Sequence, residues 1–308
     1  MGAAADVTDG YGVQLMAAGK VNLSLEVLGR RADGYHEIRS VMMTVGLADR
    51  VRVGVVEDAG IEVECDDPEV APGSGNLAYR AADVLRRACG IRRGARIALA
   101  KRIPVGGGMG GGSSDAAAVM VGLNRLWGCG LGRSQLVRLG ARVGSDVPFF
   151  FHAPSAIVCG RGERVDPISM QWSGWAVLVR SLGGVSTRAV YARWLDKGGL
   201  RSPIDRAVFS AARSADALAP AMRNDLEPAV FEVAPQVRQV HRALAAMGRA
   251  TFRVSGAGSV LFDLFDSRQS ADAFADRVRA EGIGAMVATV AAPQEVTAEE
   301  KHAWKSPT

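Results

Sequence analysis

The sequence has no run of about 18 uninterrupted apolar residues, so it carries no candidate membrane helix. Its first residues, MGAAADVTDGYG, have neither a basic region nor an apolar stretch, which argues against a secretory signal. Cysteine is scarce. Cys65, Cys89, Cys129 and Cys159 stand far apart in the chain and form no CxxC pair. That spacing argues against a disulfide framework or a zinc site and predicts reduced packing thiols in a cytoplasmic protein. Aromatics make up only 6% of the chain, and none is interleaved with the basic doublets Arg30-Arg31, Arg86-Arg87 and Arg92-Arg93. Lysine is also rare. Of 37 basic residues 5 are Lys, and only Lys20 and Lys101 precede position 197. An arginine surplus reflects composition, but it makes each surviving lysine a candidate for a place that needs a compact ammonium.

What is present reads as globular. The 308 residues are 48% hydrophobic and 22% charged, with room for about two domains, each burying its own core. The net charge of +5 is spread among acidic residues and suits a phosphorylated small molecule. A basic nucleic-acid-binding protein is the alternative from another class.

Local patterns place the elements. Val21, Leu23, Leu25 and Val27 alternate with Asn22, Ser24 and Glu26, the period of a half-buried strand, and that pleat puts Lys20, Asn22, Ser24 and Glu26 on one face. Val51, Val53 and Val55 predict a second strand. Asn76 is a plausible N-cap for a helix to about Ala88, and a strand follows at 95–101. Helices are expected from Ser113 to Trp127 and from Ser134 to Val143. In the second half the pattern predicts a strand at 175–180, helices at 187–195, 235–247 and 268–280, a strand–turn–strand at 252–265 and a last strand at 285–291. Strands and helices mix without strict βαβ repetition, so the class is α+β. A composition shift near 160–175 divides the chain into 1–160 and 161–308.

Six of the seven residues 106–112 are glycine. Such a loop costs conformational entropy on folding, and its bare backbone lets N–H groups approach an anion. Ser113, Ser114 and Asp115 then open a helix, where free N–H groups and the positive dipole end favour a polyphosphate. The hydroxyls of Ser113 and Ser114 add donors or a magnesium contact. A P-loop would need Lys before Ser113, where Gly112 stands. Gly106, Gly108 and Gly111 match a dinucleotide-binding fingerprint formally, but no acidic residue lies between Asp115 and Asp146. The HRD and DFG segments of a protein kinase are absent.

The segment KRIPVGGGMGGGSSDAAAVM resembles the second motif of the GHMP kinase superfamily. AAGKVNLSLEVLGRRADGYHEI, residues 17–38, resembles the first motif, with Lys20 and Asn22 matching and Ala18 where proline is usual. SGAGSVLF (255–262) resembles the third, with Ser259 in place of Ala or Cys. RADGYHEI, GSDVPFF (144–150), GVSTRAVY (184–191) and NDLEPAV (224–230) narrow the resemblance to the branch that phosphorylates a diphosphocytidyl derivative of methylerythritol. Another small-molecule kinase of the superfamily is the nearest alternative. The resemblance spans about residues 14–290. It implies a two-domain GHMP kinase fold, with a ribosomal-protein-S5-like N-terminal domain and a ferredoxin-like C-terminal domain.

It also implies ATP as co-substrate, Mg²⁺, a small-molecule alcohol as substrate, no nucleic acid or membrane partner, and a monomer or weak homodimer. Pro104, Val105, Gly106, Gly107, Gly108, Met109, Gly110, Gly111, Gly112, Ser113 and Ser114 would bind ATP, with Ser114 a magnesium contact. Asn22, Tyr35, His36, Thr187 and Tyr191 would bind substrate, Tyr35 and Tyr191 on the two faces of cytosine and His36 at its edge. Phosphoryl transfer asks for positioning and charge neutralisation more than covalent chemistry. Asp146 is accordingly expected to take the proton of a tertiary hydroxyl, and Lys20 to offset charge on the migrating group.

Overall fold

The computed structural model describes residues 10–181, 183–195 and 203–290. Its elements in chain order begin with β1 (Val13–Arg30), β2 (His36–Val56), β3 (Ile61–Cys65), α1 (Leu77–Cys89), β4 (Gly94–Ala100) and α2 (Gly111–Leu126). Then come α3 (Arg133–Val143), α4 (Val147–Phe150), β5 (Ser155–Gly160), β6 (Arg164–Pro167), β7 (Trp175–Arg180) and α5 (Thr187–Arg193). The chain continues through α6 (Arg206–Ala211), α7 (Ala215–Leu218), β8 (Arg223–Asn224), α8 (Glu227–Val233) and α9 (Pro235–Ala246). It closes with β9 (Arg253–Val254), β10 (Val260–Phe265), α10 (Arg268–Ala280) and β11 (Ala285–Thr289).

The first sheet is built on the long antiparallel ribbon of β1 and β2, in the order β3-β4-β2-β1-β8. The first half of β2 pairs with β5, which pairs with β6, and the second half pairs with β4. Apolar residues of α1, α2, α3 and α4 cover one face, with Ala81, Leu85, Val119, Leu123 and Phe149 fully buried among them. Asn76 caps α1 as its spacing predicts, its side chain accepting from the Ala78 N–H at 2.9 Å.

The second sheet, β11-β7-β10-β9, is antiparallel. β7 is buried on both sides. Val177 and Val179 meet Val237 and Leu244 of α9 and Phe274 and Val278 of α10. Ala176 and Leu178, pointing the other way, meet Val21, Leu23, Val41 and Met43 of the first sheet. This shared core corrects the expectation of a half-buried β1: both its apolar and its polar residues are buried, because a second layer covers it.

One further expectation needs adjustment. A division at residue 160 falls inside the β5–β6 hairpin, so the first sheet runs on to Pro167. β8, from the second half, also pairs in parallel with β1. The four cysteines are free thiols, as their spacing predicts, and burial first, then its neighbour Cys89, push the Cys129 thiol up to about 12. Among the described residues no helix is long and apolar enough to cross a membrane.

Candidate active site

β1 does not run straight past β2. Its register shifts between Ala18 and Gly19 and again between Asn22 and Ser24, on either side of Lys20. Such irregularities re-aim side chains. Lys20 is 3% exposed, and its Nζ donates to Asn22 Oδ1 at 2.6 Å and to the Gly108 carbonyl at 2.6 Å. Asn22 is held in turn by donating to Ser40 Oγ at 2.8 Å. Burial pulls the Lys20 ammonium below its usual range, while the Asp146 carboxylate opposes that fall. Asp146 Oδ2 lies 3.7 Å from Nζ, on a side chain 27% exposed. Asp146 immediately precedes α4 and caps nothing with its side chain, so its carboxylate is available to the cleft.

The glycine-rich loop passes beside this pair. The Lys20 N–H donates to the Met109 carbonyl at 2.9 Å, and Gly110, in a left-handed conformation, leads into α2. Gly108 has φ +75°, and a Cβ there would lie 1.9 Å from the Ser255 carbonyl oxygen. A Cβ on Gly258 would lie 2.0 Å from Gly107 C. The loop and the 255–259 segment therefore pack backbone against backbone, tied by the Val260 N–H to the Gly107 carbonyl at 3.2 Å and Ser255 Oγ to the Gly108 carbonyl at 3.0 Å.

An aromatic pocket lies on the other side. The His36 ring sits 5.0 Å from Tyr191 and 5.6 Å, edge-on, from Trp194. Burial, then the nearby Arg30 cation, hold the His36 imidazole below its usual range, so it is neutral at pH 7. Burial and then the Asp146 charge raise the Tyr191 phenol. Tyr35 is 53% exposed, with the Arg161 guanidinium over its ring at 4.7 Å.

One cleft of about 1290 Å³ joins these parts. It brings together Lys20, Asn22, Tyr35, His36, residues 104–113, Asp146, Thr187 and Tyr191. Ser114 is the exception: it is 1% exposed and does not line the cleft, though its Oγ is buried without a partner. Met109 contributes its backbone, while its side chain packs in the shared core. Arg161, Trp194 and Asn76 also line the cleft and were not singled out as site residues by the sequence. His152 and His241 lie outside it, and His241 Nε2 meets the Phe252 carbonyl at 3.3 Å.

The family model for the GHMP kinases N terminal domain matches residues 76–153, and that for the GHMP kinases C terminal matches 207–284. The 4-diphosphocytidyl-2-C-methyl-D-erythritol kinase of Geobacter sp. (strain M21) is 42% identical over 260 residues, covering 84% of this chain and 91% of that protein. The chain belongs to the 4-diphosphocytidyl-2-C-methyl-D-erythritol kinase family. A member from Pelotomaculum thermopropionicum is 38% identical, covering 87% of this chain and 94% of its own. A crystal structure of a 4-(cytidine 5'-diphospho)-2C-methyl-D-erythritol kinase superposes with TM-score 0.75 at 35% identity, over 91% of this chain and all of that one. The homoserine kinase of Cytophaga hutchinsonii, at 17% identity and TM-score 0.72, shares the fold over 95% of this chain and 98% of its own. The two-domain GHMP kinase fold implied by the motifs is thus present, and residues from both halves of the chain line the cleft.

Proposed function

We propose that this chain transfers the terminal phosphoryl group of ATP to the 2-hydroxyl of 4-diphosphocytidyl-2-C-methyl-D-erythritol, in the non-mevalonate route to isoprenoid precursors. The observation that carries the reading is the position of the Lys20–Asp146 pair, which touches the glycine loop through the Gly108 carbonyl and shares one cleft with Tyr35, His36 and Tyr191. Asp146 accepts the proton of the tertiary hydroxyl as its oxygen attacks the terminal phosphorus and ADP departs. Lys20, fixed by Asn22 and Gly108, offsets charge on the migrating group in a water-poor setting where such an ion acts strongly. Backbone N–H groups of 106–112, with Ser113 at the start of α2, receive the phosphates.

The residues fit magnesium held mostly by phosphates. Mg²⁺ keeps several waters and takes few protein ligands, and among the described residues no three His, Cys, Asp or Glu side chains gather as a metal site. Ser114 is buried and does not line the cleft, so its hydroxyl is not placed to hold the ion; Ser113, on the cleft wall at the start of α2, is the hydroxyl that would. When bound, the ion neutralises phosphate charge.

In the substrate half, Tyr35 stacks on cytosine by the face that Arg161 leaves open, Tyr191 takes the other face of the base, and neutral His36 reads its edge. Thr187, at the start of α5, lines the same wall. A cytoplasmic location follows from ATP use and free thiols. Cytidine 5′-diphosphate should compete with the alcohol substrate and not with ATP. Tyr35→Ala should raise its inhibition constant at least ~10-fold, the scale of one lost base stack. Inhibition unchanged by the substitution contradicts the assignment.

A further inference from the structure

The phosphate loop has few side chains with which to hold its own shape, and its stems belong to different elements. β4 feeds the start through Lys101, Arg102 and Ile103, and α2 receives the end at Gly111. Lys101 Nζ donates to Asp115 Oδ2 at 2.5 Å, in the first turns of α2, and also to Asp49 Oδ2 on β2. Asp49 Oδ1 accepts from the backbone N–H of Arg102 at 2.5 Å and of Ile103 at 2.8 Å. One ammonium and two carboxylates thereby tie β2, the β4 stem and α2 together at the base of the loop. Their side chains are at most 5% exposed.

The arrangement is not an obvious source of stability. Two carboxylates share one cation, and Asp115 Oδ1 has no hydrogen-bond partner. Burial is the main force pushing the Asp115 carboxyl up, to about 7. Burial also pulls at the Lys101 ammonium, but the two carboxylates outweigh it and raise it. Buried ion clusters of this kind are often no better than apolar packing of the same volume. What this cluster supplies is geometry: it fixes the spacing between the two stems of a loop whose glycines have no side chains to set it.

We infer that Lys101 is a positioning residue for the nucleotide, clamping both stems of the phosphate loop through Asp49 and Asp115 so that the loop N–H groups converge on the phosphates. The inference rests on the reading of 104–113 as the ATP site. It gives Lys101 a role that an arginine's longer planar fork would not fill in a buried three-way contact.

The test uses the full chain. Asp115→Leu removes the α2 arm and leaves Lys101 and Asp49 as a balanced pair, so the variant should fold. ATP affinity by calorimetry and KM for ATP should both weaken at least ~10-fold, the scale of a small misplacement of binding groups. KM for the diphosphocytidyl alcohol should stay within about twofold, and amides 106–113 should exchange faster with solvent. Asp115→Asn keeps the bond to Lys101 and should restore ATP affinity to within about threefold, and adding Lys101→Met to Asp115→Leu should cost ATP affinity no more than the worse single change. Native ATP affinity in folded Asp115→Leu, or equal damage from Asp115→Asn, overturns the clamp. Absence of ATP binding by the unaltered chain is a different failure: it contradicts the nucleotide reading and takes the clamp with it.

Discussion

His36 can accept a hydrogen bond from the cytosine amino group only with a neutral imidazole, and its surroundings keep it so. Burial and Arg30 hold its pKa below the usual 6.5. On acidification the unfolded chain therefore takes up this proton before the folded one does, so His36 contributes stability that is lost as pH falls through 6.5 towards the lower folded value. Binding should follow the folded-state titration. KM for the diphosphocytidyl substrate should be flat from neutral pH upward and rise below pH 6.5, and this limb should disappear in His36→Gln. An identical acid limb in the variant rules out His36 as its source. The residues that react were legible because they stand out chemically: Lys20 is a cation inside an alternating apolar strand, and Asp146 sits between a glycine turn and Pro148. Lys101 was visible as a rare lysine, but not its role, because its partners lie 52 and 14 positions away. Arg161 and Trp194 follow no pattern; only the folding of the β5–β6 hairpin and the end of α5 brings them to the cleft.

The glycine loop gains a second reason for its composition at the scale of elements. Its sequence suggested bare backbone for phosphates, yet Gly108 and Gly258 are also forced by the loop–loop contact. Gly258→Ala, in the second half of the chain, should therefore displace the phosphate loop. Stability by urea denaturation should fall by more than about 1 kcal/mol, and KM for ATP should rise. Native values for both would show that the two backbones are not in contact. Helices of several turns, such as α1, α9 and α10, were legible, α1 with Asn76 as its cap. The short α4, α6, α7 and α8 were not; α4 and α7, at four residues, are about one turn each and carry no period. β5 and β6 escaped as well, and with them the true extent of the first sheet.

For the whole molecule, the decisive feature is the core shared by the two sheets. Val21, Leu23, Val41 and Met43 pack against Ala176, Leu178, Val260 and Phe262, and β8 joins the first sheet from the second half. Neither half buries its apolar surface alone. Calorimetry should give one cooperative transition with equal van't Hoff and calorimetric enthalpies, whereas two separated transitions would mean that the halves are independent. The same coupling holds the ATP loop, the catalytic pair and the aromatic pocket in one cleft. The most direct test is ADP release from saturating ATP, with and without 4-diphosphocytidyl-2-C-methyl-D-erythritol, in the unaltered chain and in Asp146→Asn. The account predicts ADP release that depends on the alcohol and falls at least ~100-fold in the variant, with both ligands still bound. ADP release indifferent to the alcohol, or undiminished in Asp146→Asn, would contradict it.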